Sequence, residues 1–229
     1  MSRPRVEVRR VRGALELRID GTQASVHRPG PSLTGVLWWA LASPVLLLSR
    51  DRPRRVLLLG LAAGSVARAL RCLDPDVQIV GVELDREVVR AAHRHFGLGR
   101  LRVELVVGDA LEYLKRDRRR FDLIIEDLFV GPPRSVHKPD WLPGDGYGLI
   151  RRRLRPGGYV ASNTIHEMPT IVRAMRQLGG RTVSLDVRGH WNRVVITGRD
   201  LPDPRRLRRL LEGHASLARS LRRLDFRSR

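Results

Sequence analysis

The sequence predicts an α/β protein built on a parallel, doubly wound sheet, with a small β piece ahead of it and an antiparallel hairpin behind. Three observations predict this class. The stretch VLLLGLAAGSVARAL at 56–70 runs from four aliphatic residues through a small-residue turn into helical spacing. Three more apolar runs follow at the intervals of βαβ units, and each closes on an acid: Glu83, Asp109 and the pair Glu126-Asp127. Two final strands are joined only by Arg188 to Asn192, a connection short enough for a hairpin.

In chain order, valines and leucines alternate from Val6 to Val26, and Gly13 and Asp20-Gly21 mark turns. That is a β-hairpin or three-stranded meander, too small to fold alone and expected to pack over one edge of the main domain. His27 to Pro31 reads as a linker, and 33–43 as a helix carrying Trp38 and Trp39. Strands are predicted at 56–59, 78–84, 102–107, 121–128 and 159–165, with helices at about 64–73, 86–96, 110–117, 145–154 and 167–178. Pro156-Gly157-Gly158 turns the chain into the fifth strand, and 181–187 with 193–197 forms the hairpin, leaving one reversed strand. Residues 203–226 read as a basic helical tail with leucines at helical spacing. The resulting division is 1–30, 31–200 and 201–229.

Composition bounds the function. The chain of 229 residues is long enough for one α/β domain with a sizeable core and an appendage. Cys72 is the only cysteine, which excludes an internal disulfide and points to a reducing, cytoplasmic setting. Its place on the first helix of the main domain suggests a buried thiol. No secretory signal opens the chain, and the apolar run 33–48 is too short for a membrane span and is broken by Pro44. No membrane partner is expected. Net charge is +20, almost all of it arginine; only Lys115 and Lys138 are lysine. Such a field attracts nucleic acid, but the arginines are scattered with few aromatics among them, which favours solvated faces. The same field slows cationic acceptors. The seven histidines show no metal-ligand spacing, so no metal is expected. GLAAGS around Ser65 is not a nucleophile elbow.

The candidate site is the row of strand ends. Gly60 to Gly64 would let backbone approach a ligand, and the N–H groups of Ala63 to Val66 would face its polar end. Glu83 suits a pair of ribose hydroxyls. Asp127 and Glu126 close the fourth strand, and Glu126 points to the other face and reads as structural. A group of this kind binds a nucleotide or nucleoside in an adenosine-shaped hollow.

VLLLGLAAGSVARAL, GVELDREVVRAA, GDALEYLKRDRRRFDLIIEDL and LIRRRLRPGGYVASN together resemble the spermidine synthase family, the polyamine aminopropyltransferases, over about residues 5 to 165. The resemblance implies the class I S-adenosylmethionine-dependent methyltransferase fold, Rossmann-like, with a small amino-terminal β domain. It implies that Gly60, Ala62, Ala63 and Gly64 cradle the amino-acid end of the donor and Glu83 the ribose. Asp109 with Ala110 would then read the adenine edge, and Asp127 would sit beside the transferring centre. The chain departs from the family at chosen points. Ala63 replaces an aspartate that holds the donor amine, and Val130 replaces the second strand-four aspartate. Leu37 and Trp38 replace a tyrosine-histidine pair, and Gln23 stands one residue early. Trp38 and Val130 would therefore line an acceptor pocket poorer in carboxylates than a polycation needs.

Three function classes follow. The first and preferred is methyl transfer from S-adenosylmethionine to an acceptor that the residues do not identify, a small molecule or, as a variant, RNA. The second is aminopropyl transfer from decarboxylated S-adenosylmethionine to a polyamine. The third is a non-catalytic basic module that holds nucleic acid or a partner. Homo-oligomerisation is compatible with all three.

Overall fold

The computed structural model describes residues 5–28, 35–131 and 135–229. The linker at 29–31 and the start of the helix expected from 33 lie outside them. Strands β1 (Val6–Val11), β2 (Ala14–Ile19) and β3 (Thr22–His27) form an antiparallel meander turned at Gly13 and at Asp20-Gly21. Helix α1 (Val36–Ala42) buries Trp38 and Trp39 and runs into a 3₁₀ turn at Ser43–Leu47 that starts on Pro44.

Strands β4 (Arg55–Leu59), β5 (Gln78–Glu83), β6 (Val103–Val107) and β7 (Phe121–Glu126) alternate with α2 (Ser65–Leu73), α3 (Arg86–Phe96) and α4 (Ala110–Arg116). Then come α5 (Tyr147–Arg153), β8 (Leu154–Thr164), α6 (Met168–Arg176), β9 (Arg181–Val187) and β10 (Arg193–Gly198). All six residues of β7 are buried, as are Val56 to Leu59, because helices cover both faces of the sheet's centre. Helix α3 begins where Asp85 accepts the Glu87 N–H and ends on Gly97 in the left-handed region, a side-chain N-cap and a glycine C-cap.

After β10 come α7 (Pro204–Glu212), α8 (Ala218–Leu221) and β11 (Leu224–Ser228), and the main sheet has the order β11-β9-β10-β8-β7-β4-β5-β6. β4 pairs in parallel with both β5 and β7, so the strand order reverses at β4. In sheets of this kind a ligand binds outside the carboxyl ends of the strands at such a reversal, here the ends of β4 and β7.

Three expectations need correction. The run 203–226 is not one helix: it breaks after Glu212, and 224–228 pairs antiparallel with β9. Leu224 turns inward into the core, which outweighs the helical spacing of its neighbours. Two strands are consequently reversed, β10 and β11, rather than one. The meander packs on α2 and α3, at one side of the main domain. Cys72 is exposed, because α2 buries Val66, Ala69, Leu70 and Leu73 and leaves position 72 outside that stripe. Partial desolvation still raises its thiol pKa, so it is a poor nucleophile. No helix among the described residues is long and apolar enough to cross a membrane.

The core predicts its own sensitivity. Ile124 on β7 is fully buried beside Leu57, Val160 and Tyr147. Ile124→Ala is expected to cost about 2–5 kcal/mol, read as a lower urea midpoint with an unchanged slope.

Candidate active site

The site is assembled on a row of parallel strand ends, and a chain of contacts ties them together. At the end of β4, Gly60 has φ +87°, and a Cβ there would stand 2.7 Å from the main-chain oxygen of Asp127. Only glycine allows β7 to pass so close. Gly60 and Leu61 both donate their N–H to the Val82 carbonyl, Ala62 donates to Glu83 Oε2 at 2.8 Å, and Gly64 donates to the Leu61 carbonyl. Ala62 holds φ +45°, a left-handed conformation that costs a non-glycine residue about 1–2 kcal/mol. The bond to Glu83 helps to hold it.

The amide of Ala63 corrects an expectation. It does not face a ligand; it donates to Ser25 Oγ of β3 at 3.0 Å. Ser65 closes the same seam, accepting the Val26 N–H and donating to the Val26 carbonyl. From 60 to 64 every turn N–H is therefore consumed by the protein. A phosphate would find no donors there, whereas a cationic sulfonium needs none.

Glu83 is buried, and its Oε1 accepts the Asp85 N–H at 3.1 Å while Oε2 takes Ala62. Each oxygen keeps a further lone pair for a hydroxyl. Burial raises its pKa, and the backbone bonds partly oppose the rise. Gly108 donates to the Glu83 carbonyl, which brings the end of β6 alongside. Asp109 is exposed and caps α4 by accepting the Glu112 N–H at 3.0 Å, while the Ala110 side chain turns into the core.

Asp127 follows β7, half-buried, with Oδ1 accepting from Asn163 Nδ2 at 2.7 Å. Asn163 Oδ1 in turn accepts from Asn192 Nδ2 at 3.1 Å, so the β9–β10 turn steadies the carboxylate through one intermediary. Burial raises the Asp127 pKa, and Asn163 and the Lys138 ammonium oppose the rise. Beside it, Glu126 is fully buried in a polar network that sequence reasoning does not anticipate. Its Oε1 takes Lys138 Nζ and the Leu128 N–H, both at 2.7 Å, and its Oε2 takes Ser162 Oγ at 2.5 Å. Tyr147 donates to that same Ser162 at 3.0 Å. Lys138 Nζ also donates to the Leu128 carbonyl and lies 3.9 Å from the Phe129 ring centroid. One trace of this was visible earlier: Lys138 is one of two lysines among 44 basic residues.

Of the two residues expected to line an acceptor pocket, Val130 is 43% exposed and bridges to His137 at the start of the post-β7 loop. Trp38 is instead a core side chain, 7% exposed, with its ring against Gly35. Helix α1 is clamped between α2 and the sheet, and that clamp turns the indole inward.

Residues 42–184, more than half of the chain, match the model of the spermine/spermidine synthase domain. A polyamine aminopropyltransferase of Chromobacterium violaceum is 29% identical over 196 residues, covering 82% of this chain and 73% of that protein. Polyamine aminopropyltransferase 2 of Pseudomonas aeruginosa is 33% identical over 125 residues, covering 50% of this chain and 34% of its own. The chain spans a third to two fifths of the length of that protein and of two others of the same name. Among solved structures, a "probable spermidine synthase" of Corynebacterium glutamicum superposes with TM-score 0.78 at 18% identity, covering 98% of this chain and 88% of that one. At that identity the superposition speaks for the fold.

The raised Glu83 pKa carries a signed prediction. An acid whose folded pKa is raised stabilises the fold while it is protonated, and that share is lost as pH climbs through the raised value. Stability of the wild type relative to Glu83→Gln is therefore expected to fall as pH rises above the ordinary glutamate range, about pH 4, read from urea midpoints of both proteins. A constant difference would mean that the Glu83 proton is not linked to folding.

Proposed function

The chain belongs to the spermine/spermidine synthase family, and we propose that it transfers an aminopropyl group from decarboxylated S-adenosylmethionine to an amine acceptor. The observation that carries the proposal is the contact of Gly60 with the main chain of Asp127. That contact holds the small-residue turn against the strand end that carries the half-buried Asp127 carboxylate, with Glu83 beside the turn. The names of the relatives favour aminopropyl over methyl transfer.

The residues present fit such a donor. Glu83 would hold the ribose hydroxyls through its remaining lone pairs, and Asp109 with the Ala110 backbone would meet the adenine edge. The turn at 60–64 offers close backbone and no free N–H toward a positive sulfur. When bound, the sulfonium supplies an electrophilic carbon and a neutral thioether as leaving group. Asp127 then has two tasks. Its Oδ2 accepts a hydrogen bond from the incoming amine, which aims the nitrogen lone pair, and it takes the proton that the nitrogen sheds. Asn163, held by Asn192, fixes the carboxylate's plane.

One observation favours a second reading, methyl transfer from S-adenosylmethionine. Ala63 stands where the family resemblance calls for an aspartate on the donor's amine. Donors carrying isotope in the methyl or in the propyl group separate the two. Propyl label is expected in the product, and methyl label there would overturn the aminopropyl reading. Asp127→Asn is expected to lower turnover by about 10²–10⁴-fold, with bound nucleoside retained in calorimetry.

A further inference from the structure

The geometry points to an acceptor that carries one positive charge rather than several, with Lys138 as the residue that sets this limit. The inference rests on the transferase reading above and narrows its substrate class.

Three carboxylates meet at the ends of β7 and β8, namely Glu126, Asp127 and Glu167. Glu126 is saturated by Lys138, the Leu128 N–H and Ser162. Glu167 is committed to two backbone amides, those of Lys138 and Ile165. Asp127 has Oδ1 on the neutral Asn163, and Oδ2 has no hydrogen-bond partner among the described residues. One carboxylate oxygen is thus left for one amine.

Lys138 is the reason that Glu126 is not a second. Its side chain is 1% exposed, and its three N–H bonds are met by Glu126, the Leu128 carbonyl and the face of Phe129. The pair sums to zero charge. A compact ammonium fits this enclosure, whereas a planar guanidinium with five donors does not, in a chain whose other basic residues are arginine except Lys115. A diamine held by Asp127 at one end finds no uncommitted carboxylate among these three for its second ammonium. Val130, three residues after Asp127, is 43% exposed, and Trp191, next to Asn192, is 82% exposed. Trp191 leans against His166, and Arg188 and Arg193 stand on the same hairpin, paired with Asp225 and Asp186. An amine with an uncharged body meets fewer like charges there than a polyamine does.

Butylamine and putrescine differ only by the second ammonium, so their binding to protein saturated with 5′-methylthioadenosine reads the claim directly in calorimetry. The wild type is expected to bind them within about threefold of each other. Lys138→Met frees the Glu126 carboxylate and is expected to favour putrescine by about tenfold or more. The double variant Glu126→Gln with Lys138→Met removes both charges and is expected to return the two amines to parity. It also keeps the test decisive if the single variant does not fold. Wild-type protein preferring putrescine tenfold, or a folded Lys138→Met with no gain, overturns the inference alone. Failure to bind 5′-methylthioadenosine overturns the donor reading and this inference with it.

Discussion

The close passage of β7 over the glycine turn is the constraint from which the site follows. Because β4 lies between β5 and β7, its end is the one place where chain connections leave in both directions. At that place Gly60 brings the Asp127 main chain within contact distance. Glu83 on one neighbouring strand and Asp127 on the other then fall on either side of a single turn. Anything larger than hydrogen at position 60 would push the two strand ends apart and separate Glu83 from Asp127.

Behind that front lies a polar network inside an apolar sheet. A buried ion pair is weak evidence for net stability, since desolvating both charges offsets most of their attraction; breaking one costs about 3–5 kcal/mol. The pair of Glu126 and Lys138 is better understood through its connections. It joins β7 to β8 through Ser162, to α5 through Tyr147, and to its own loop through Leu128 and Phe129. Glu167 adds the turn after β8. The loop that begins at Leu128 is thereby held by charge and hydrogen bonding as well as by the packing of Leu128, Trp141 and Leu142.

What could be read from the residues divides along sequence distance. The buried parallel strands, their terminal acids and the helix starts at Asp85 and Asp109 are local signals, and each lies where its neighbours place it. Contacts made across the chain were not legible. Ala63 and Ser25 are 38 positions apart, and so the capture of that amide by β3 left no local mark. Ser162 reaches Glu126 over 36 positions, and Leu224 joins β9 only because the sheet edge is there to receive it. Asp127 and Glu83 were found because a charged residue at the end of an apolar strand is conspicuous. Asn163 and Asn192 were not, because a neutral amide matters only through the group it steadies.

The seam between Ser25, Val26 and Ser65 ties the amino-terminal meander to the donor turn. Three short strands resting on helices form a unit that can open at lower free energy than the sheet beneath, and amide exchange reports such openings segment by segment. Undocking would strip Ala63 of its acceptor and loosen the turn. Reciprocity then requires that whatever settles on the turn also slows exchange in β3, by the same free energy that a docked β3 lends to the ligand. Strands β1 to β3 would in this sense report occupancy, readable without following any reaction.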